Sequence, residues 1–156
     1  MHRTAALLAA TLALLTACAS SKAQSQGTPT PQPAGSGLGY PAAELANGRS
    51  IFQTGRDSGG HQIVAQPAAL YPKCAACHYP NGAGGRHLPH GAVSADLRYS
   101  SLVTNQHPPY TLATLERAIS TGVDNQGQRL NRVMPRWQLS STDLHDVAYY
   151  VLTSLK

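Results

Sequence analysis

The chain has 156 residues, 12% of them charged and 6% aromatic, with 14 Gly, 11 Pro and three Cys. That mix excludes a coiled coil, a collagen and a long helical array. Three cysteines also cannot close the two bridges of a disulfide-stapled miniprotein. The formal charge is +5, from 12 Lys and Arg against 7 Asp and Glu, and the length suits one domain.

Met1-His2-Arg3-Thr4 carries positive charge, and Ala5 to Thr16 then run uncharged and rich in Ala and Leu. Such a run falls short of the roughly 20 residues that span a hydrocarbon core of about 30 Å, so residues 1–17 read as a secretory signal peptide. The run ends in Leu15-Thr16-Ala17-Cys18, which resembles the lipobox of bacterial lipoproteins. The resemblance implies that Cys18 is lipidated and becomes the new N-terminus; the alternative is an ordinary signal peptide with Cys18 near its cleavage site. Several acyl chains hold a protein stably on a membrane where one does not. By the sorting rule of such lipoproteins, the non-acidic Ala19 points to the outer membrane in a Gram-negative host. Residues 18–39 then form a tether rich in Pro, Gly and Ser, with Pro29, Pro31 and Pro33 alternating. It has too little to bury to repay its ordering entropy. The folded domain is expected at residues 40–156, with no internal repeats.

Within that domain three helices are legible. Ala42 to Gln53 carries Leu45, Ile51 and Phe52 and stops at Gly55. Gly48 costs about 1 kcal/mol in a helix interior relative to Ala, which hints at a close helix crossing. Thr111 can cap a second helix to Thr121, with Leu112, Leu115 and Ile119 on one face and Gly122 as its end. The third is the clearest: after a cap at Ser140 or Ser141, Leu144, Val147, Ala148, Val151, Leu152 and Leu155 recur with helical period. Long Gly- and Pro-rich connections, 56–73 and 80–110, separate them. A compact domain with this much loop needs something besides its own side chains in the core.

Cys74-Ala75-Ala76-Cys77-His78 supplies it. A C-x-x-C-H run is the signature of c-type haem attachment. Two thiols on one turn of chain can each add to a haem vinyl group, and the adjacent His reaches the iron. A zinc half-site needs a second ligand pair, and the sequence has no other Cys pair. A thioredoxin-like dithiol needs a βαβ setting, which the pattern does not offer. For the second axial ligand, Met1 leaves with the signal peptide, so Met134 is the one methionine of the mature chain, in Val133-Met134-Pro135-Arg136-Trp137. A thioether raises the haem potential relative to a second imidazole. Rival ligands are His61, His87, His90, His107 and His145, and Met134 could instead be core filling.

In the order of its parts the chain resembles a monohaem class I cytochrome c over nearly all of residues 42–156. The parts are an N-terminal helix, Cys74-x-x-Cys77-His78, a middle helix, Met134-Pro135 and a C-terminal helix through Asp146 to Val151. The resemblance implies an all-α cytochrome c fold of three to five helices wrapped around one covalent haem c. It also implies a crossing of the first and last helices at Gly48 and Phe52 against Val147 and Tyr150. Thr121-Gly122-Val123-Asp124 with Gly127 resembles the lead-in to the methionine loop. Two departures stand out. The insert 56–73, containing Ile63-Val64-Ala65, could form a small hairpin or a lid over a haem edge. The family's Pro carbonyl acceptor for the proximal His has Pro89 as its nearest counterpart in spacing. Arg136 and Trp137 are candidates for contacting the haem or its propionates, and Trp137 could instead simply pack.

The functional expectation is a single-electron carrier with haem c held by Cys74, Cys77, His78 and Met134, exported, anchored through Cys18, and not itself an enzyme. Its partners would be redox proteins, and it would act as a monomer or as a subunit of a respiratory complex. The alternatives are a gas sensor or peroxidase-like enzyme with a displaceable Met134, or an electron-transfer subunit of a dehydrogenase or oxidase. Arg3 and Lys22 precede the domain, which leaves ten basic and seven acidic residues there, a net of +3. Two haem propionates reduce this to about +1, too little to steer partners at long range. No basic stripe suggests nucleic-acid binding.

Overall fold

The computed structural model describes residues 41–69 and 71–156. The expected signal peptide, tether and lipidated Cys18 lie outside the described residues. Four helices and one small strand pair follow in the order α1 (Ala42–Thr54), β1 (Val64–Gln66), α2 (Ala75–His78), α3 (Leu112–Thr121), β2 (Arg136–Gln138) and α4 (Ser141–Ser154). Short turns of 3₁₀ type at Pro89–Gly91 and of π type at Ser100–Thr104 punctuate the long middle loop. Among the described residues no helix is long and apolar enough to cross a membrane.

Local chemistry sets the helix ends. Gly55 takes φ 74° and its N–H closes on the Ile51 carbonyl, which ends α1. The Thr111 side chain accepts from the Thr114 N–H to start α3. Ser140 accepts from the Asp143 N–H to start α4. The core is built where α1 crosses α4. Ile51, Phe52 and Val147 are fully buried there, with Ala148 and Val151 beside them. Each large apolar side chain so buried stabilises by about 1.5–3 kcal/mol.

Gly48 sits at the point of closest approach. A Cβ on it would lie 2.1 Å from the Asp146 carbonyl oxygen and 2.8 Å from Tyr150 Cβ. The neighbour of Gly48 is thus the Asp146 backbone, while Phe52 meets the Tyr150 ring at 5.7 Å between centroids. Buried Asn47 adds a polar clasp that its place in the sequence did not announce. Its amide donates to Asp143 Oδ1 at 2.9 Å and Asp146 Oδ2 at 2.7 Å, and its oxygen accepts from the Ser58 N–H.

The insert 56–73 opens with a small hairpin turning at residues 57–60 and then runs on as a strand. After a bridge between Arg56 and Gln62, β1 pairs antiparallel with β2, placing Ala65 opposite Trp137. Ile63 and Ala65 turn inward and are buried while Val64 stays exposed. The insert is therefore a strap along the strand that follows Met134.

Candidate functional site

Cys74 to His78 form a single helical turn, with the Cys77 and His78 amides donating to the Cys74 carbonyl at 3.1 and 3.0 Å. His78 is buried at 7% exposure. Its Nδ1 donates to the Ala95 carbonyl at 2.8 Å, so the acceptor is Ala95 and not Pro89. Pro89 instead begins a short turn at the tip of a hairpin made by residues 85–94, in which His87 and Val93 are bridged. Ser94 ties the base of that hairpin to the motif, accepting from the Arg86 N–H and donating to the Cys77 carbonyl at 2.8 Å. The Arg86 guanidinium donates to the Ala76 carbonyl at 2.6 Å. The extra residues of the hairpin displace the acceptor along the chain, which spacing alone cannot foresee.

With Nδ1 engaged, Nε2 is the nitrogen left to bind a metal, the usual division of labour in a ligating imidazole. Burial holds the His78 pKa below its ordinary value, with the Ala95 carbonyl opposing, so the ring is neutral and its lone pair available. Directly after it, Tyr79 adopts φ 61° and ψ 159°, a region L-residues rarely occupy and one that costs about 1–3 kcal/mol. The chain turns sharply there and leaves His78 facing inward. Burial pushes the Cys74 thiol up to about 12, the reverse of the lowered value that a reactive dithiol needs. Both cysteines are free of disulfides. Among the described residues no group of three His, Cys, Asp or Glu is placed to hold a metal ion.

Cys74, Cys77, His78 and Met134 all line one cavity of about 510 Å³. Leu115, Ala118 and Ile119 of α3, Phe52 of α1 and Val147 and Val151 of α4 form much of its apolar wall. None of His61, His87, His90, His107 and His145 lines it, and no described residue of the insert does either. His61 instead lies 2.9 Å from Asp57, and His145 lies 3.1 Å from Glu116. An open groove of about 1010 Å³ between α1, Pro80 and α4 contains none of the motif residues.

The cavity suits a largely apolar prosthetic group that also carries polar groups. Its wall is mostly aliphatic, yet two of its lining residues carry buried polar atoms with no partner in the protein, Trp137 Nε1 and Asn125 Oδ1. Trp137 is 4% exposed. An orphaned buried donor costs about 1–3 kcal/mol unless something answers it. Haem propionates are acceptors of the right kind for the indole. Asp96 also lines the cavity, and the Arg98 guanidinium beside it, 2.5 Å away, holds its carboxyl down to about 2. Arg136, expected as a contact to the group, is not in the wall. Its guanidinium turns back to the Met134 and Leu130 carbonyls and rests against Gly122.

The family model of cytochrome c matches residues 46–155. The chain belongs to the cytochrome c family. As a c-type cytochrome it carries covalently bound haem c and transfers electrons to and from redox partners. The all-α architecture that the resemblance implied is that of this cytochrome. No curated protein and no solved structure gave a significant match of its own to the chain. Sequence reasoning did not single out Asn47, the Ala95 carbonyl or the Asp96–Arg98 pair. Their roles depend on which loops meet, and only Asp-x-Arg at 96–98 has a local signature.

Proposed function

We propose that this cytochrome is a single-electron carrier whose haem c is held by thioether bonds to Cys74 and Cys77 and by His78 and Met134 as axial ligands. The observation that carries the reading is that these four residues line one cavity from which every rival histidine is absent. When bound, haem c supplies a one-electron iron couple. His78, neutral and oriented by Ala95, serves as the proximal ligand. Met134, held by its N–H to the Asn131 carbonyl at 3.1 Å and by Arg136 on its own carbonyl, would supply the second protein ligand. With both positions taken, the site offers no place for a substrate, and the protein works by outer-sphere exchange instead of catalysis.

On the same reading the protein is exported, and Cys18 carries the lipid that anchors it on the periplasmic side of a membrane, with the outer membrane favoured. The residues 18–39 extend its reach towards partners. Replacing Met134 by Ala tests the axial assignment. The ferric protein should lose the weak far-red band of thioether-to-iron charge transfer, its potential should fall, and the reduced form should take up CO rapidly. Rapid CO uptake by the unaltered protein would instead support a sensor or peroxidase-like role. A stable stoichiometric partner retained through mild-detergent purification would support a subunit role. Labelled fatty acid in the wild type and none after Cys18→Ser tests the anchor.

A further inference from the structure

Arg136 stands two residues after Met134 at the start of β2, where its backbone pairs with Gln66 of the strap. From that fixed base its side chain turns back along the chain. Nη1 donates to the Met134 carbonyl, and Nη2 donates to the Leu130 carbonyl at 3.0 Å. One side chain thus closes residues 130–136 into a ring. Within the ring, the Asn131 carbonyl accepts from the Met134 N–H at 3.1 Å and Asn131 Oδ1 accepts from the Val133 N–H at 3.0 Å. These two bonds shape the loop but tie it to nothing outside itself.

The guanidinium provides the outside tie by resting on the end of α3. Gly122 ends that helix with φ 69°, and a Cβ on it would lie 1.8 Å from both Cζ and Nε of Arg136. Only glycine leaves room there, and the partial negative charge at a helix C-terminus suits a cation. Among the described residues Arg136 has no carboxylate partner. Burial, and then the charges of Arg129 and Arg132, hold its pKa below the ordinary value. A cation so placed must be answered by the carbonyls around it. The stretch it secures is cavity wall: Leu130, Asn131, Val133 and Met134 line the cavity, while Arg136 does not.

We propose that Arg136 is a positioning residue that keeps Met134 in the cavity wall, and so decides between a closed electron carrier and a haem open to outside ligands. The inference rests on the axial reading of Met134 and adds what enforces it. The device requires a guanidinium. Its donors lie in one plane on separate nitrogens and reach two carbonyls at once, whereas the ammonium of Lys is a point charge on a flexible stem. Charge alone does not hold the loop.

The test titrates the ferric holoprotein with imidazole, which must displace Met134 to bind, and follows the far-red band. Arg136→Met and Arg136→Lys are compared with two controls. Arg132→Met removes an exposed charge from the same loop, and Gly48→Ala loosens the α1–α4 crossing. Arg136→Met should bind imidazole about tenfold more tightly than the wild type, the loss expected for a hydrogen bond from a charged group, and its far-red band should weaken. Arg136→Lys should follow it, because the charge is restored and the fork is not; this milder change carries the test should Arg136→Met fail to retain haem. Both controls should stay within about twofold of the wild type, as sites without shared partners do, which separates positioning from charge and from general stability. Wild-type affinity in Arg136→Lys, or an equal gain in either control, would overturn the proposal. Failure of the axial reading looks different: the wild type itself would lack the far-red band and bind imidazole as tightly as Met134→Ala, and the proposal would fall with it.

Discussion

Replacing Gly48 by Ala sets two effects of known sign against each other. Helix propensity alone favours Ala by about 1 kcal/mol. Against it stands the crossing with α4, where the new Cβ would lie 2.1 Å from the Asp146 carbonyl oxygen and 2.6 Å from its carbon. These are backbone atoms of a packed helix, so no rotamer change relieves the clash and the helices must part. Overpacking of this kind costs about 1–3 kcal/mol, and a rigid obstacle puts it at the upper end. Parting the helices also stretches the Asn47–Asp146 hydrogen bond of 2.7 Å, a further loss of about 1 kcal/mol. The net expectation is a destabilisation of about 2–3 kcal/mol. Guanidinium unfolding of the holoprotein, followed by far-ultraviolet dichroism and by the haem absorption, measures it. Exposed Ala46 in the same helix calibrates the propensity scale, since Ala46→Gly should cost about 1 kcal/mol. Should Gly48→Ala prove as stable as the wild type or more so, the close crossing would be refuted.

Three further outcomes follow from the same structure. Ile63→Ala removes a buried side chain of the strap and should cost about 2–4 kcal/mol in thermal or denaturant unfolding; a loss below about 0.5 kcal/mol would mean that the strap carries no stability. Trp137→Phe removes the orphaned donor while keeping an aromatic ring, and should destabilise the holoprotein by about 1–3 kcal/mol while leaving the haem-free chain less affected. Equal losses in both forms would show that nothing answers the indole N–H. The folded-state pKa of Asp96 is depressed to about 2. Its contribution is therefore complete above the ordinary carboxylate range, about pH 4, and fades as pH falls towards 2. Asp96→Asn should flatten that part of the acid-unfolding curve and leave the pH dependence of the neutral region unchanged, and added salt should weaken the effect because the pair is partly exposed.

Much of the design is local and so could be read directly. The C-x-x-C-H turn, the caps at Thr111 and Ser140 and the glycine stops at Gly55 and Gly122 depend on neighbours within a few residues. The apolar period of α4 depends on nothing beyond the helix itself. The shortage of methionine singled out Met134, and its place in the cavity wall accords with that reading.

Contacts across long stretches of chain had to await the fold. The insert showed three apolar residues in a row but not their partner, because the pairing of Ala65 with Trp137 closes a loop of some seventy residues. The acceptor for His78 moved from Pro89 to Ala95 because a hairpin intervenes, and spacing counts residues but not how they double back. The charge tells the same story. Composition determined a net of +3 for the domain, close to nothing once propionates are added. The sequence already gathers this excess between residues 117 and 136, and only the tertiary structure decided that the stretch stands at one rim of the haem cavity, since a Coulomb field depends on where charges stand and not on their sum.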